Sequence, residues 1–342
     1  MKPRRILVLV HTDLIPPDSM DGYSDSEIVQ WKTEFDVVTT LRQMGHEVSV
    51  AGVKDDLTLV RNAILEFEPD ITFNLLEEFH GNSLYDHHVA GYLELMQQAY
   101  TGCNPRGLLL AHDKALSKKI LSFHRIHVPR FAVIERNHRI RVPKRLAYPL
   151  IVKSLYEEGS YGIAQASVVK TEEKLVERVT YLHEKLETPA IVEEFIDGRE
   201  MYVSILGNRR LQVLPVLELK FGNVPDGTPL IATSKVKWDW KYQERRQIDL
   251  EAPTDLTEAL QRRILAVAKR TYRNLNLSGY ARIDMRITAD GDVYVLEANA
   301  NPDIGYGEET AMAAEIAGTS YEQLLQKLLN LGVAYHAKPL VT

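Results

Sequence analysis

The hydrophobic pattern changes period several times along the chain, and each change predicts an element. Ile6, Leu7, Val8, Leu9 and Val10 form a continuous apolar run, as in a parallel strand buried on both faces. A polar, proline-containing loop follows. Residues 27–44 then read as a helix closed by Gly45 in the C′ position. Strand patterns over 47–53 and 70–75 alternate with helical ones over 57–67 and 84–98, and 99–102 reads as one more short strand. This alternation predicts a parallel sheet covered by helices. Ligands of such sheets bind beyond the strands' carboxyl ends, so the loops at His11 and Asp13 and at residues 77–82 border a candidate site.

From His112 the character changes. Residues 113–123 are helical, with Lys114 in the first turn, where the helix dipole disfavours a cation. A lysine there is either solvated or directed at an anion. Residues 136–145 are basic and read as a solvated loop. A strand over 149–153 ends in Lys153, and Glu158-Gly159-Ser160-Tyr161-Gly162 precede a return to β pattern over 163–169. A glycine–serine loop between strands can wrap phosphates with its N–H groups, although by itself it is equally an ordinary hairpin. After a helix over 171–186, a strand runs through Val192-Glu193-Glu194-Phe195-Ile196 towards Glu200. Backbone groups where that strand leaves the core suit an adenine edge, and Glu200 is either a ribose ligand or a solvated strand-end carboxylate. Residues 220–246 have little periodicity and read as a lid containing Lys235, Lys237, Trp238 and Trp240. The tryptophans either stack on a substrate or anchor the lid. Residues 259–274 are helical, and Thr319-Ser320-Tyr321-Glu322 is a capping box opening a helix to 331.

Between these helices lies the most informative stretch, residues 280–301. Two β-patterned runs flank Asp290-Gly291, which predicts a two-residue hairpin turn. That register sets Asp284 opposite Glu297 and Arg282 opposite Asn299, all four on one face. Ile283, Met285, Ile287, Tyr294, Leu296 and Ala298 form the opposite, core face. Two carboxylates ~5 Å apart repel by roughly 3 kcal/mol at an effective dielectric of 20. The face is therefore either solvated or built around a cation. Carboxylate and amide oxygens suit Mg²⁺, which is commonly held together with substrate phosphates.

Composition narrows the setting. At 342 residues the chain divides into two or three domains, and 45% hydrophobic with 26% charged residues is ordinary for a globular protein. A net charge of −6 argues against a general nucleic-acid binder, and no apolar run approaches a membrane span or a signal-peptide core. The single Cys103 rules out an internal disulfide framework and suits the cytoplasm.

The ordered set Asp113-Lys114, Val152-Lys153, Gly159-Ser160-Tyr161-Gly162, Val192-Glu193-Glu194-Phe195-Ile196 with Glu200, Arg282-x-Asp284 and Leu296-Glu297-Ala298-Asn299-x-Asn301-Pro302 resembles the ATP-grasp ligases, most of all the D-alanine–D-alanine ligase group. The resemblance runs from about residue 80 to 331. It implies an α/β and α+β chain: an N-terminal parallel-sheet (pre-ATP-grasp) domain, residues 1–112, and a two-subdomain ATP-grasp fold, residues 113–189 with the flap and 190–342 with the metal site. Lys114 and Lys153 would contact ATP phosphates, and the flap from Glu158 through Gly162 would cover them. Glu193 would accept from the adenine amino group, Phe195 and Ile196 would border the base, with Glu194 beside them, and Leu296 would pack beneath it. Glu200 would bind the ribose. Asp284, Glu297 and Asn299 would hold Mg²⁺, with Mn²⁺ as the alternative ion, and Arg282 would stabilise the acyl-phosphate and the oxyanion. Lys237 matches the lysine directed at the γ-phosphate, with Lys235 open as the other candidate.

The activity implied is ATP-dependent joining of a carboxylate to an amine through an acyl-phosphate, on small amino-acid or peptide substrates, with a homodimer through the N-terminal domain expected. Substrate-facing segments depart from the family pattern. The loop after the first strand is His11-Thr12-Asp13-Leu14-Ile15-Pro16-Pro17, a His-Gly pair continues as His80-Gly81-Asn82-Ser83, and Asn301-Pro302-Asp303-Ile304-Gly305 follows the metal residues. Asp13 and Asp303 are candidates for the missing ammonium anchor, and a substrate other than two D-alanines is expected. Two other readings remain: an ATP-grasp phosphotransferase or carboxylase-type enzyme, and a nucleotide-binding module without catalysis. Tyr85-Asp86-His87-His88 with His80 also raises a transition-metal site, although adjacent histidines on a helix point apart.

Overall fold

A computed structural model describes residues 2–141, 144–157, 159–225 and 227–335, with only the backbone of Trp238. The alternating region forms β1 (Arg5–His11), α1 (Asp25–Gln43), β2 (Glu47–Val53), α2 (Leu57–Phe67) and β3 (Ile71–Asn74). The strands pair in parallel in the order β2-β1-β3, as the continuous apolar runs predict. The short strand expected over 99–102 is only a bridge between Thr72 and Tyr100. Helices α3 (Asp86–Leu95), α4 (Pro105–His112) and α5 (Lys114–Phe123) follow. Sequence reasoning missed α4, although Asn104 as N-cap and Pro105 in the first turn signal it. Asp113 ends α4 and caps α5, accepting from the N–H groups of Ala115 and Leu116 at 3.0 and 2.8 Å.

The middle unit contains β4 (Phe131–Ile134), β5 (Leu150–Ser154), β6 (Val168–Val169), α6 (Glu172–Lys185) and β7 (Ala190–Glu194). Its sheet has the order β4-β7-β5-β6. Strand β7 is thus internal to this sheet.

The last unit contains β8 (Arg199–Leu206), β9 (Gln212–Val213), β10 (Leu217–Phe221), α7 (Ser234–Trp238), α8 (Trp240–Arg246), β11 (Ile248–Glu251), α9 (Glu258–Asn274), β12 (Tyr280–Ile287), β13 (Val293–Ala300), α10 (Glu309–Ile316) and α11 (Tyr321–Ala334). Its sheet runs β11-β10-β8-β12-β13, with β9 on β8. The lid is not structureless: α7 and α8 lie within it, each with a side-chain cap from Thr233 or Asp239. The capping box of α11 is Ser320 with Gln323, one residue later than predicted. Leu324, Leu325, Leu328 and Leu329 of α11 share a core cluster with Ile6 and Val8 of β1, so the last helix closes back on the first sheet. Among the described residues no helix is long and apolar enough to cross a membrane.

Candidate active site

Strands β12 and β13 pair as predicted where the charged residues lie: Arg282 faces Asn299 and Asp284 faces Glu297. The predicted route to that register is wrong in two compensating ways. The turn spans three residues, Ala289 to Gly291. Gly291 is at φ 81°, its N–H donates to the Thr288 carbonyl, and Thr288 N–H donates to the Asp292 carbonyl. A β-bulge between Asp284 and Met285 then absorbs one extra residue on β13, Leu296. The bulge decides which side chains reach the site. Val293 and Val295, not Tyr294 and Leu296, join Ile283, Met285 and Ile287 in the core. Leu296 and Glu297, consecutive in sequence, both line the cleft.

The Asp284–Glu297 juxtaposition is offset by protein cations. Arg282 donates from Nε and Nη2 to both oxygens of Asp284, at 2.8 and 3.0 Å, and from Nη1 to Glu309 at 2.8 Å. Its guanidinium carbon lies 5.1 Å from the centre of the Tyr202 ring. Neither Glu309 nor this bidentate pair was anticipated, yet residues two apart on a strand share a face, which places Arg282 beside Asp284. Across the hairpin, burial pushes the Glu297 carboxyl up, but Lys114, Lys153, Lys237 and Lys118 outweigh that and hold it at about 2. Lys114 Nζ is 3.8 Å from Glu297 and donates to the Glu157 carbonyl at 2.6 Å, so this buried lysine is directed at an anion and not solvated.

Below the hairpin lies a cleft between the middle and last sheets. Glu193, 1% exposed, has its two oxygens 3.2 and 3.3 Å from the Nζ atoms of Lys118 and Lys153. Burial raises its carboxyl, and the two ammonium groups more than offset this, holding it below the usual range. Its first task is thus to neutralise two buried lysines. Lys118 was missed, though it stands four residues after Lys114 on one helix face and also donates to the Leu296 carbonyl. Glu194 turns its carboxylate outward to Arg130, at 2.5 Å. The Phe195 N–H donates to the Pro149 carbonyl at 3.1 Å, and the Ile196 carbonyl accepts from Arg286 at 3.0 Å. Two of the backbone groups expected for an adenine edge are therefore engaged within the fold. Glu200 accepts from Arg286 and Tyr202, at 2.8 and 3.0 Å, while still lining the cleft. Arg286, another missed residue, also lies 5.1 Å over the Phe195 ring.

The flap arches over this cleft. Glu158 lies outside the described residues. Gly159, Ser160 and Gly162 have φ of 62°, 61° and 70°, and Tyr161 is exposed. Ser160, Ile163 and Lys237 line the cleft, whereas Lys235 is exposed, so Lys237 is the lid lysine directed inward.

The five residues expected to meet substrate are divided. Asp13 and His80 are exposed; Asp13 pairs with Lys54 at 3.1 Å, and the His80 N–H donates to the Lys54 carbonyl at 2.6 Å. Asn301 accepts from the Cys103 N–H at 2.6 Å, with its amide against Gly102, where a Cβ would lie 2.7 Å from Oδ1. Its side chain therefore pins the hairpin to the first unit. Asp303 accepts from Thr33 of α1 and from the Gly305 N–H, at 2.6 and 2.8 Å. A Cβ on Gly305 would meet Thr33 Oγ1 at 2.7 Å, so Gly305 is a close-approach position. Around Asp303, burial and that carboxylate push Glu308 up to about 7, and burial does the same to Glu34.

Glu34 yields a stability prediction. Its folded value of about 7 exceeds the ordinary 4.5, so the native state is destabilised as pH rises from 4.5 through 7. Glu34→Gln is expected to raise Tm at pH 8, by roughly 2–6 °C, and to leave it unchanged near pH 4. Thermal melts of both proteins across that range check this.

Among the described residues no three His, Cys, Asp or Glu side chains converge to hold a metal. The histidine-rich stretch carries a buried Asp86–His112 pair at 2.8 Å instead. Burial pushes the Cys103 thiol up to about 12, which removes it as a thiolate nucleophile. The hairpin donors do suit a small hard cation. Glu297 is ionised, and each Asp284 oxygen keeps a second lone pair beside Arg282, so both supply oxygen ligands of the right kind.

A family model described as D-ala D-ala ligase C-terminus matches residues 119–330. The chain is 30% identical over 315 residues to a D-alanine–D-alanine ligase of Desulforudis audaxviator, covering 91% of this chain and 96% of that one. It is also 30% identical over 300 residues to the uncharacterized protein y4sG of Sinorhizobium fredii, covering 86% and 85%. The fold is shared with the D-alanine–D-alanine ligase of Bacillus anthracis complexed with ATP (TM-score 0.75, 22% identity, 97% and 98% coverage). It is shared too with the VanG D-Ala:D-Ser ligase of Enterococcus faecalis (TM-score 0.70, 20% identity, 97% and 100% coverage).

Proposed function

Because this chain belongs to the D-alanine–D-alanine ligase family of ATP-grasp enzymes, we propose that it joins an amino-acid or peptide carboxylate to an amine other than in the D-alanine–D-alanine pair. It is an ATP-dependent ligase that forms C–N bonds. One observation carries the reading of its site: Lys114, Lys118, Lys153 and Lys237 all act on Glu297, one strand away from Arg282. Phosphate-binding cations thus stand beside a guanidinium suited to an oxyanion. Binding a nucleotide alone has no use for the second group.

In this reading ATP lies in the cleft with its base near Phe195, Ile196 and Leu296 and its ribose at Glu200. Lys114, Lys153 and Lys237 hold the phosphates under the flap. Asp284, Glu297 and Asn299 would hold Mg²⁺, which when bound would neutralise phosphate charge. A substrate carboxylate oxygen attacks the γ-phosphorus, and the bond to ADP breaks. The amine nitrogen then attacks the acyl carbon, loses a proton, and phosphate leaves. Arg282 stabilises the negative charge on the carbonyl oxygen in that second step.

The substrate proposal rests on the surroundings of Arg282. Glu308 and Glu309 lie beside it, with Asp303 next to Glu308 and Glu34 close to Asp303, giving an acidic environment where the chain departs from the family pattern. ADP release with Mg²⁺ over a panel of carboxylate and amine pairs, with products weighed by mass spectrometry, tests both levels. Release that depends on an amine other than D-alanine is expected. Robust D-alanyl-D-alanine formation would overturn the substrate reading. Release without any amine would instead indicate phosphotransfer, and no release with any pair a binding module.

A further inference from the structure

We propose that Ser234 is a positioning residue that ties the glycine–serine flap to the helix carrying Lys237, so that flap and lysine close over the nucleotide as one unit. The proposal rests on the ATP-ligase reading above. Ser234 Oγ donates to the Ser160 carbonyl at 2.6 Å, and Ser234 N–H donates to the Ile163 carbonyl at 3.1 Å. The same Ser160 carbonyl accepts from the Ile163 N–H at 2.9 Å, the bond that closes the flap's own turn. One hydroxyl therefore holds the flap at the carbonyl that closes its turn.

The flap needs such a grip. Gly159, Ser160 and Gly162 all occupy left-handed backbone, and Ser160 does so without the freedom of a glycine. On the far side, Arg178 of α6 donates to the Gly162 carbonyl, which anchors the flap to the middle unit. Ser234 supplies the opposite anchor, on the last unit.

On the lid side, Ser234 is the first residue of α7. Its N-cap, Thr233, is buried, receives the Val236 N–H at 3.3 Å and accepts from the Lys237 N–H at 3.0 Å through its carbonyl. Lys237 is one helical turn beyond Ser234, about 4.5 Å along the axis. A displacement of the flap is thus carried to Lys237 through a single hydrogen-bonded turn. Opening either element alone breaks two bonds at Ser234, and opening both admits water to an acyl-phosphate.

The test uses the full chain with Ser234→Ala and Ser234→Thr, the second retaining the hydroxyl. Hydrogen exchange is followed over residues 159–164 and 231–238, with Mg²⁺ and a non-hydrolysable ATP analogue. Both segments should be protected together in the wild type. The flap should exchange roughly fivefold to tenfold faster in Ser234→Ala, and Ser234→Thr should restore protection. In turnover, Ser234→Ala should lower kcat by a similar factor, leave the ATP KM within about twofold, and raise ADP released per amide formed. A merely structural serine would not change that ratio. Equal flap protection and unchanged coupling in Ser234→Ala would overturn the latch while leaving the ATP reading intact. Absence of nucleotide protection in the wild type would overturn that reading, and the latch with it.

Discussion

Arg282→Lys is expected to lower kcat for amide formation by about 10²–10³-fold while changing the ATP KM by no more than about threefold. The reason is geometric as much as electrostatic. The guanidinium spans both oxygens of Asp284 and reaches Glu309 with its third nitrogen, so its plane is held from two sides. A lysine keeps the charge but is a point donor, and it cannot hold Asp284 and face a developing oxyanion at once. Nucleotide affinity should survive because the cleft is lined by Asp284 and Arg286 but not by Arg282. Steady-state kinetics, with the carboxylate and ATP varied separately, distinguishes the outcomes. A large rise in ATP KM at constant kcat would reassign Arg282 to nucleotide binding. Asp284→Asn is the less informative variant, since it also removes a partner from a buried guanidinium and so perturbs folding.

Glu297→Gln carries the second large effect, a loss of roughly 10²-fold or more in turnover with the Mg²⁺ activation midpoint raised at least about tenfold. Glu297 is the anion at the centre of four lysines, which hold its carboxyl at about 2. Neutralising it removes a metal donor and leaves those lysines less compensated. Binding of ADP without Mg²⁺ should therefore be no weaker than in the wild type, and this separates loss of a metal ligand from collapse of the cleft. The depressed value also sets a stability consequence. The contribution of Glu297 is present above pH 4.5 and is lost as the pH falls towards 2, so the variant should melt earlier at pH 7. An unaltered Mg²⁺ dependence would remove the metal assignment.

What could be read in advance followed local rules. Strand β2 and helix α2 occupy the predicted residues, because strand and helix periods are properties of contiguous sequence. The pairing of Asp284 with Glu297 follows from the Asp290-Gly291 turn signal only because the longer turn and the bulge cancel. Lys118 and Arg286 were legible in principle by the same periodicities, four residues along a helix and two along a strand, but their value depends on what lies opposite. Glu193 shows this well. Its place at the end of a strand is local, whereas its engagement by lysines from α5 and β5 requires two other elements to arrive there.

The sequence by itself thus determined most element types, the family, and the one hairpin face on which Arg282, Asp284, Glu297 and Asn299 project. Only the tertiary structure decided how that face is made neutral and what it adjoins. The bulge turned Leu296 from core to cleft, because one extra residue reverses the side of every residue between it and the turn. Arg282 closed on Asp284, and lysines from α5, β5 and α7 converged on Glu297. These choices escape a linear reading because electrostatic interactions depend on distance in space, and residues 114, 153, 237 and 297 are brought together only by folding.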